Sequence, residues 1–134
     1  MKDLALDVAW GTGLITLLIA EEDCEVVGLD LSLGQLRRLK EKLGSRMHNV
    51  YLVLGDSRKL PFRSSAFNIA TCSGALSEII DGEKVVRELH RTLKNGGRAV
   101  IMIFDRENIP LCFWGYSAEK LSLDLSSSGL ETLL

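Results

Sequence analysis

Two rhythms of apolar residues alternate along this chain. Leu4-Ala5-Leu6-Asp7-Val8-Ala9 is a nearly continuous apolar run, the pattern of a strand buried on both faces. It breaks at Gly11 and Gly13. Leu14-Ile15-Thr16-Leu17-Leu18-Ile19-Ala20 follows, apolar at helical spacing, and predicts a helix over about 13–22 with Leu14, Leu17 and Leu18 on one face. The cycle then repeats. Glu25–Asp30 reads as a second strand ending in an acid. Ser32 reads as an N-cap and Gln35 as the other half of a capping box. Leu33, Leu36, Leu39 and Leu43 form the core stripe of a second helix, with Gly44 as its stop.

Asn49–Leu54 predicts a third strand, followed by Gly55-Asp56. Pro61 and Arg63-Ser64-Ser65 mark a loop. Phe67–Cys72 predicts a fourth strand, left through Ser73-Gly74, with a short helical segment near Ala75–Ile80. Asp81 is placed to cap a helix whose buried face is Val85, Val86, Leu89 and Leu93. Asn95-Gly96-Gly97 is expected to end it, since both residue types tolerate positive φ. Arg98–Phe104 predicts a fifth strand. Beyond it, Leu111-Cys112-Phe113-Trp114 is expected to cover the open end of the site. Residues 117–128 are expected to be helical, because the segment is longer than most strands, although Leu121, Leu123 and Leu125 also alternate. Glu131–Leu134 is expected to begin a further strand.

Strands alternating with helices imply right-handed crossovers and a parallel sheet. The fold class expected is α/β: one Rossmann-like, doubly wound, mostly parallel sheet with helices on both faces. Residues 1–134 form a single domain in this reading, with no internal repeat and no linker. Ligands of such sheets bind beyond the carboxyl ends of the strands, where strand order reverses. Asp30 and Asp56 end the second and third strands and so face one crevice. Asp7 lies within the first strand.

Composition narrows the function. The 134 residues are 46% hydrophobic and 25% charged, with a net charge of -2. That balance carries no electrostatic footprint for nucleic acid. Arg37, Arg38, Lys40 and Lys42 alternate with apolar positions and read as a solvated helix face. Cys24, Cys72 and Cys112 are an odd number at unrelated spacings, so neither a disulfide framework nor a metal site is expected. A reducing, cytoplasmic setting is the corresponding expectation. No apolar run approaches the roughly 20 residues of a membrane span, and no cleavable leader is expected. His48 and His90 read as surface or packing residues, not bases.

The glycine turn selects among nucleotide ligands. A dinucleotide site wants G-x-G-x-x-G, and the third glycine would fall at Thr16. A phosphate-binding P-loop is excluded, because no Lys-Ser or Lys-Thr follows the turn.

Five segments, in order over residues 4 to about 104, resemble the motifs of class I S-adenosylmethionine (SAM)-dependent methyltransferases. They are Leu6-Asp7-Val8-Ala9-Trp10-Gly11-Thr12-Gly13, Gly28-Leu29-Asp30-Leu31-Ser32, Gly55-Asp56-Ser57-Arg58-Lys59-Leu60-Pro61-Phe62, Phe67-Asn68-Ile69-Ala70 and Leu93-Lys94-Asn95-Gly96-Gly97-Arg98. The nearest flavour is the ubiquinone/menaquinone-biosynthesis type. The resemblance implies methyl transfer from SAM, with S-adenosylhomocysteine as product, to a small-molecule oxygen, nitrogen or carbon. It implies a cofactor site built from Asp7, Ala9, Trp10, Gly11, Gly13, Asp30, Leu31, Asp56, Ser57 and Cys72. Gly11 and Gly13 would let backbone approach the methionine part of the cofactor, and Asp30 would accept from both ribose hydroxyls. Asp56 would accept from the adenine amino group with the Ser57 backbone nearby, and Leu31 would offer the ring an apolar surface. Asp7 would orient the turn or reach the cofactor's ammonium group, and Cys72 would stand at the crevice rim. No catalytic base is identified.

The chain also departs from the family. Ala9 replaces the commonest first glycine, and Trp10 replaces a small residue; its ring could stack on a ligand, fold into the core or obstruct the pocket. Asn68 replaces an aspartate. Two strands usually follow the fifth, and a segment usually precedes the first. The competing expectation is therefore a catalytically weak or inactive SAM-binding module, with a dinucleotide-dependent oxidoreductase more remote. The apolar fifth strand, lacking a neighbour, is expected to be an edge through which the chain forms a homo-oligomer, there or through its C-terminal segment.

Overall fold

The first apolar run folds as strand β1, Asp3–Val8, and the segment after the glycine turn as helix α1, Leu14–Glu21. A computed structural model describes residues 2–8, 13–73, 82–104 and 110–117. Strand β2, Cys24–Asp30, and helix α2, Leu33–Leu43, come next. A 3-10 segment, Gly44–Asn49, not foreseen from the pattern, leads into strand β3, Val50–Leu54. Strand β4, Phe67–Ser73, helix α3, Gly82–Thr92, and strands β5, Leu93–Phe104, and β6, Pro110–Ser117, complete the set.

The six strands form one sheet in the order β3-β2-β1-β4-β5-β6. The first five are parallel and β6 runs antiparallel to β5. Successive side chains of a strand point to opposite faces, and the core divides accordingly. Leu6, Val8, Leu29, Ala70, Cys72, Ala99 and Ile101 pack with Val85, Val86 and Leu89 of α3. Val26 and Val50 pack on the other face with Leu36, Leu39 and Leu43 of α2, and with partly buried Leu17, Ile19 and Ala20 of α1. Helices therefore cover both faces, as expected for a doubly wound sheet. Full burial of Val85, Val86 and Leu89 contributes roughly 1.5–3 kcal/mol each.

Ser32 caps α2 through its side chain, which accepts from the Gln35 N–H, and Gly44 closes the helix at φ 52. Several expectations need correction. Thr16 is the buried residue of α1, while Leu14 and Leu18 are 58% and 51% exposed. At 3.6 residues per turn, positions two before and two after Thr16 lie about 160° from it, so an inward Thr16 turns both leucines outward. Leu33 opens α2 at the carboxyl edge of the sheet and stays 49% exposed.

The Asn95-Gly96-Gly97 turn does not follow the helix directly. The chain leaves α3 at Thr92 and joins the sheet at Leu93, opposite Phe67. The register then shifts, so that Arg98 faces Ile69, with Gly96 at φ 78 in the irregular stretch.

Strand β5 is not an edge. Residues Arg98–Phe104 pair with Ser117–Pro110 of β6, so Leu111–Trp114 joins the sheet instead of lidding the crevice. This removes the basis for association through an unpaired fifth strand. The segments expected near Ala75–Ile80, at Asp81, over 118–128 and at Glu131–Leu134 lie outside the described residues. Among the described residues, no helix is long and apolar enough to cross a membrane.

Candidate functional site

From β1 the chain proceeds to β2 and β3 on one side, then returns to β4 and β5 on the other. Strand order thus reverses between β1 and β4, and the crevice of such a sheet opens at the carboxyl ends of its strands. Asp30 is the last residue of β2. The Gly55 N–H donates to the Asp30 carbonyl at 3.0 Å, which extends the β2–β3 ladder by one bond and sets Asp56 beside Asp30. A Cβ on Gly55 would lie 3.0 Å from Leu29 Cδ1, so a side chain there would press on the core behind the acids.

Asp30 Oδ1 accepts from the Ser32 N–H at 2.8 Å, and Ser32 Oγ accepts from the Gln35 N–H at 3.3 Å. Asp30 thus supplies the reciprocal acceptor that the capping-box reading assigned to the Gln35 side chain. Among the described residues Asp30 Oδ2 accepts no hydrogen bond. Leu31, next in the chain, is 69% exposed. Asp56 is held differently. Its Oδ1 accepts from the Arg58 N–H at 2.9 Å and from Nε at 3.0 Å, and its Oδ2 accepts from Nη2 at 2.7 Å. The Arg58 guanidinium and N–H hold the Asp56 carboxyl down to about 2. Ser57 is buried.

Asp7 is fully buried. Its Oδ2 accepts from Thr16 Oγ1 at 2.5 Å and its Oδ1 from Thr71 Oγ1 at 2.6 Å. Burial drives the carboxyl up to about 6, against the two threonine hydroxyls, with the Asp30 charge adding to the rise. One carboxylate thereby ties β1 to α1 and to β4. Gly13 starts α1 in the left-handed region, at φ 77, a conformation open to glycine at little cost. Its carbonyl accepts from the Leu17 N–H at 3.0 Å. Both Asp7 oxygens are thus engaged in holding α1 and β4 to β1.

The structure therefore brings Gly13, Asp30, Leu31, Asp56 and Ser57 to the carboxyl edge, with Asp7 behind them. Ala9, Trp10 and Gly11 lie outside the described residues. Cys72 is a correction: it is 0% exposed and belongs to the core under α3, not to the crevice rim. The alternation along β4 puts Thr71 on the Asp7 side and Cys72 on the other. Burial pushes its thiol up to about 12, which leaves it protonated and unreactive. Sequence reasoning missed Thr16 and Thr71. The available signal was a lone hydroxyl inside an apolar helix, nine residues after a carboxylate inside an apolar strand. Among the described residues, no group of three His, Cys, Asp or Glu side chains is placed to hold a metal ion.

These features define a doubly wound α/β domain with two acids, Asp30 and Asp56, at the carboxyl edge of neighbouring strands. The chain belongs to the family described as a methyltransferase domain, whose match runs over residues 6–101. It is 38% identical over 106 residues to a demethylmenaquinone methyltransferase of Corynebacterium kroppenstedtii, covering 79% of this chain and 44% of that protein. A Listeria welshimeri protein of the same name is 36% identical, covering 78% and 46%. The chain thus spans a little under half the length of these curated relatives. A crystal structure described as a methyltransferase of Bacillus halodurans superimposes with a TM-score of 0.73 at 30% identity, over 78% of this chain and 46% of that one.

Proposed function

We propose that this chain carries the SAM-binding half of a methyltransferase that acts on a small-molecule acceptor. The observation that carries the reading is the placement of Asp30 beside Asp56 by the Gly55–Asp30 bond, at the carboxyl edge next to the Gly13 turn. A nucleoside presents a ribose diol and an exocyclic amine, all hydrogen-bond donors, and carboxylates at the ends of neighbouring strands suit them. The residues fit the group: among the described residues Asp30 Oδ2 accepts no hydrogen bond, and exposed Leu31 offers an apolar surface for the base. SAM, when bound, supplies a methyl group activated by its sulfonium. The chain's own part is to hold the nucleoside through Asp30, Leu31, Asp56 and Ser57, and to fix the turn through Asp7. Such positioning is a main source of rate in a displacement reaction.

The family assignment supports methyl transfer, and the relatives' shared name makes a demethylmenaquinone the first acceptor to try. No comparison favours an inactive binding module. Thr16 argues against the dinucleotide reading, because its side chain fills the place of the third glycine and is bonded to Asp7. Calorimetric titration with SAM, S-adenosylhomocysteine and NAD in parallel tests the reading. Binding of the first two but not NAD is expected; NAD binding alone overturns it.

A further inference from the structure

The loop from Gly55 to Ala66 leaves the sheet at Gly55 and is held at its far end by α3. Glu88 Oε2 accepts from the Leu60 N–H at 2.7 Å. Arg91 donates to the Leu60 carbonyl from Nη2 at 3.2 Å and to the Phe62 carbonyl from Nη1 at 2.8 Å. The end of α3 adds two carbonyls: Arg91 accepts from the Ser65 N–H at 3.0 Å and Thr92 from the Ala66 N–H at 2.7 Å. Glu88 and Arg91 also lock each other, Nε to Oε1 at 2.7 Å and Nη2 to Oε2 at 2.8 Å. This is a two-bond fork, the strong and directional form of an ion pair. Arg91 and the Leu60 N–H hold the Glu88 carboxyl below its usual range.

The clamp reaches Asp56 through a short chain of bonds. Leu60 is buried. The Lys59 N–H, one residue earlier, donates to the Asp56 carbonyl at 3.1 Å and closes a turn over residues 56–59. Gly55, at the other end of that turn, is bonded to Asp30. The turn carrying Asp56 and Ser57 is thus fixed at both ends, at one by the sheet and at the other by α3.

We propose that Glu88 and Arg91 are positioning residues for the nucleoside end of the cofactor, acting through the Leu60 backbone to set where Asp56 and Ser57 stand. The inference rests on the function proposed above. Its test uses the full chain unsubstituted and as Arg91→Met, Arg91→Lys and Glu88→Gln. Affinity for S-adenosylhomocysteine is read by calorimetry, and amide hydrogen exchange over residues 57–60 is read in the ligand-free protein. Arg91→Met is expected to weaken binding about tenfold and to speed exchange at 57–60 by a similar factor, with β1 and β4 unchanged, as for loss of two hydrogen bonds to carbonyls. Arg91→Lys is expected to recover part of the affinity, since an ammonium satisfies one carbonyl but cannot make the fork. If Arg91→Met does not fold, Glu88→Gln carries the test, because its amide oxygen still accepts from Leu60 while the ion pair is lost. Faster exchange with unchanged affinity overturns the positioning role alone. Failure of the unsubstituted chain to bind overturns the proposed function and this inference with it.

Discussion

Thr71 on β4 donates to Asp7 on β1 at 2.6 Å, directly across paired strands, and that bond is half of what keeps a charge inside the sheet. The other half is Thr16 at 2.5 Å. The two hydroxyls and the Thr16 N–H offset the desolvation of the carboxylate only in part, and its value of about 6 against an ordinary 3.8 reflects the shortfall.

Stability should therefore depend on pH through Asp7. Between its unfolded value of 3.8 and its folded value of about 6 the native state binds the extra proton. The contribution is fully present below the lower value and is lost as pH rises through the upper one. At 1.36 kcal/mol per pH unit the window amounts to on the order of 3 kcal/mol. Asp7→Asn should lack this slope. Urea midpoints of both proteins at pH 4 and pH 7.5 measure it; parallel shifts in the two would refute the assignment.

Asp30→Ala should weaken SAM or S-adenosylhomocysteine binding by about 1.5–3 kcal/mol, the range for hydrogen bonds to a charged group. Folding should persist, because Asp30 stands at a strand end and Ser32 still caps α2. Calorimetry on a variant with an unchanged circular dichroism spectrum reads the effect. Undiminished affinity would place the ribose elsewhere.

Arg58→Met should return the Asp56 carboxyl from about 2 toward ordinary values, since the Arg58 side chain is the first cause of its depression. The sign is that of a depressed acid: the contribution holds above the unfolded value and fades as pH falls toward the folded one. Asp56 is about a third exposed, so solvent keeps the effect on stability small. Carbon-detected NMR titration of the side-chain carboxyl follows it residue by residue. A carboxyl that titrates where it did before the substitution would mean that Arg58 is not its partner in solution.

Gly97→Ala should cost about 1–3 kcal/mol, the usual cost of overpacking. An added Cβ would stand 2.8 Å from the Lys94 carbonyl oxygen and 3.1 Å from that of Asn68, and both neighbours are backbone. Denaturant unfolding at neutral pH tests this, with Gly96→Ala as a comparison that meets no atom within 4 Å but carries a positive φ. An unaltered midpoint for Gly97→Ala would show that the β5 irregularity relaxes freely.

The strands were readable because each is a short apolar run closed by a turn residue, and burial on both faces leaves little else for such a run to do. Asp30 and Asp56 were readable for the same reason: each follows such a run. Thr16 was not, because a hydroxyl in an apolar helix reads as its wet side until the carboxylate beneath it is known. Leu14 and Leu18 turn outward, since the facing of α1 is decided by Asp7 and not by the count of leucines. Glu88 and Arg91 sit three apart on one helix and resemble an ordinary surface pair. Their shared second partner, Leu60, is 28 residues from Glu88 and 31 from Arg91, and only tertiary structure brings it near. The Leu111–Trp114 run was too short to separate a strand from a covering loop, and its antiparallel return on β5 depends on a connection that periodicity does not describe.

The burial of Cys72, at 0% exposed, and of Cys24, at 6%, has a use in the laboratory. Both thiols are held above their usual range by desolvation, so at neutral pH almost no thiolate forms to attack an alkylating reagent. In a Cys112→Ser background the two would become clocks, one under α3 and one where β2 begins. The rate at which each is trapped would report how often its part of the sheet breathes open, with no probe attached to the molecule beforehand.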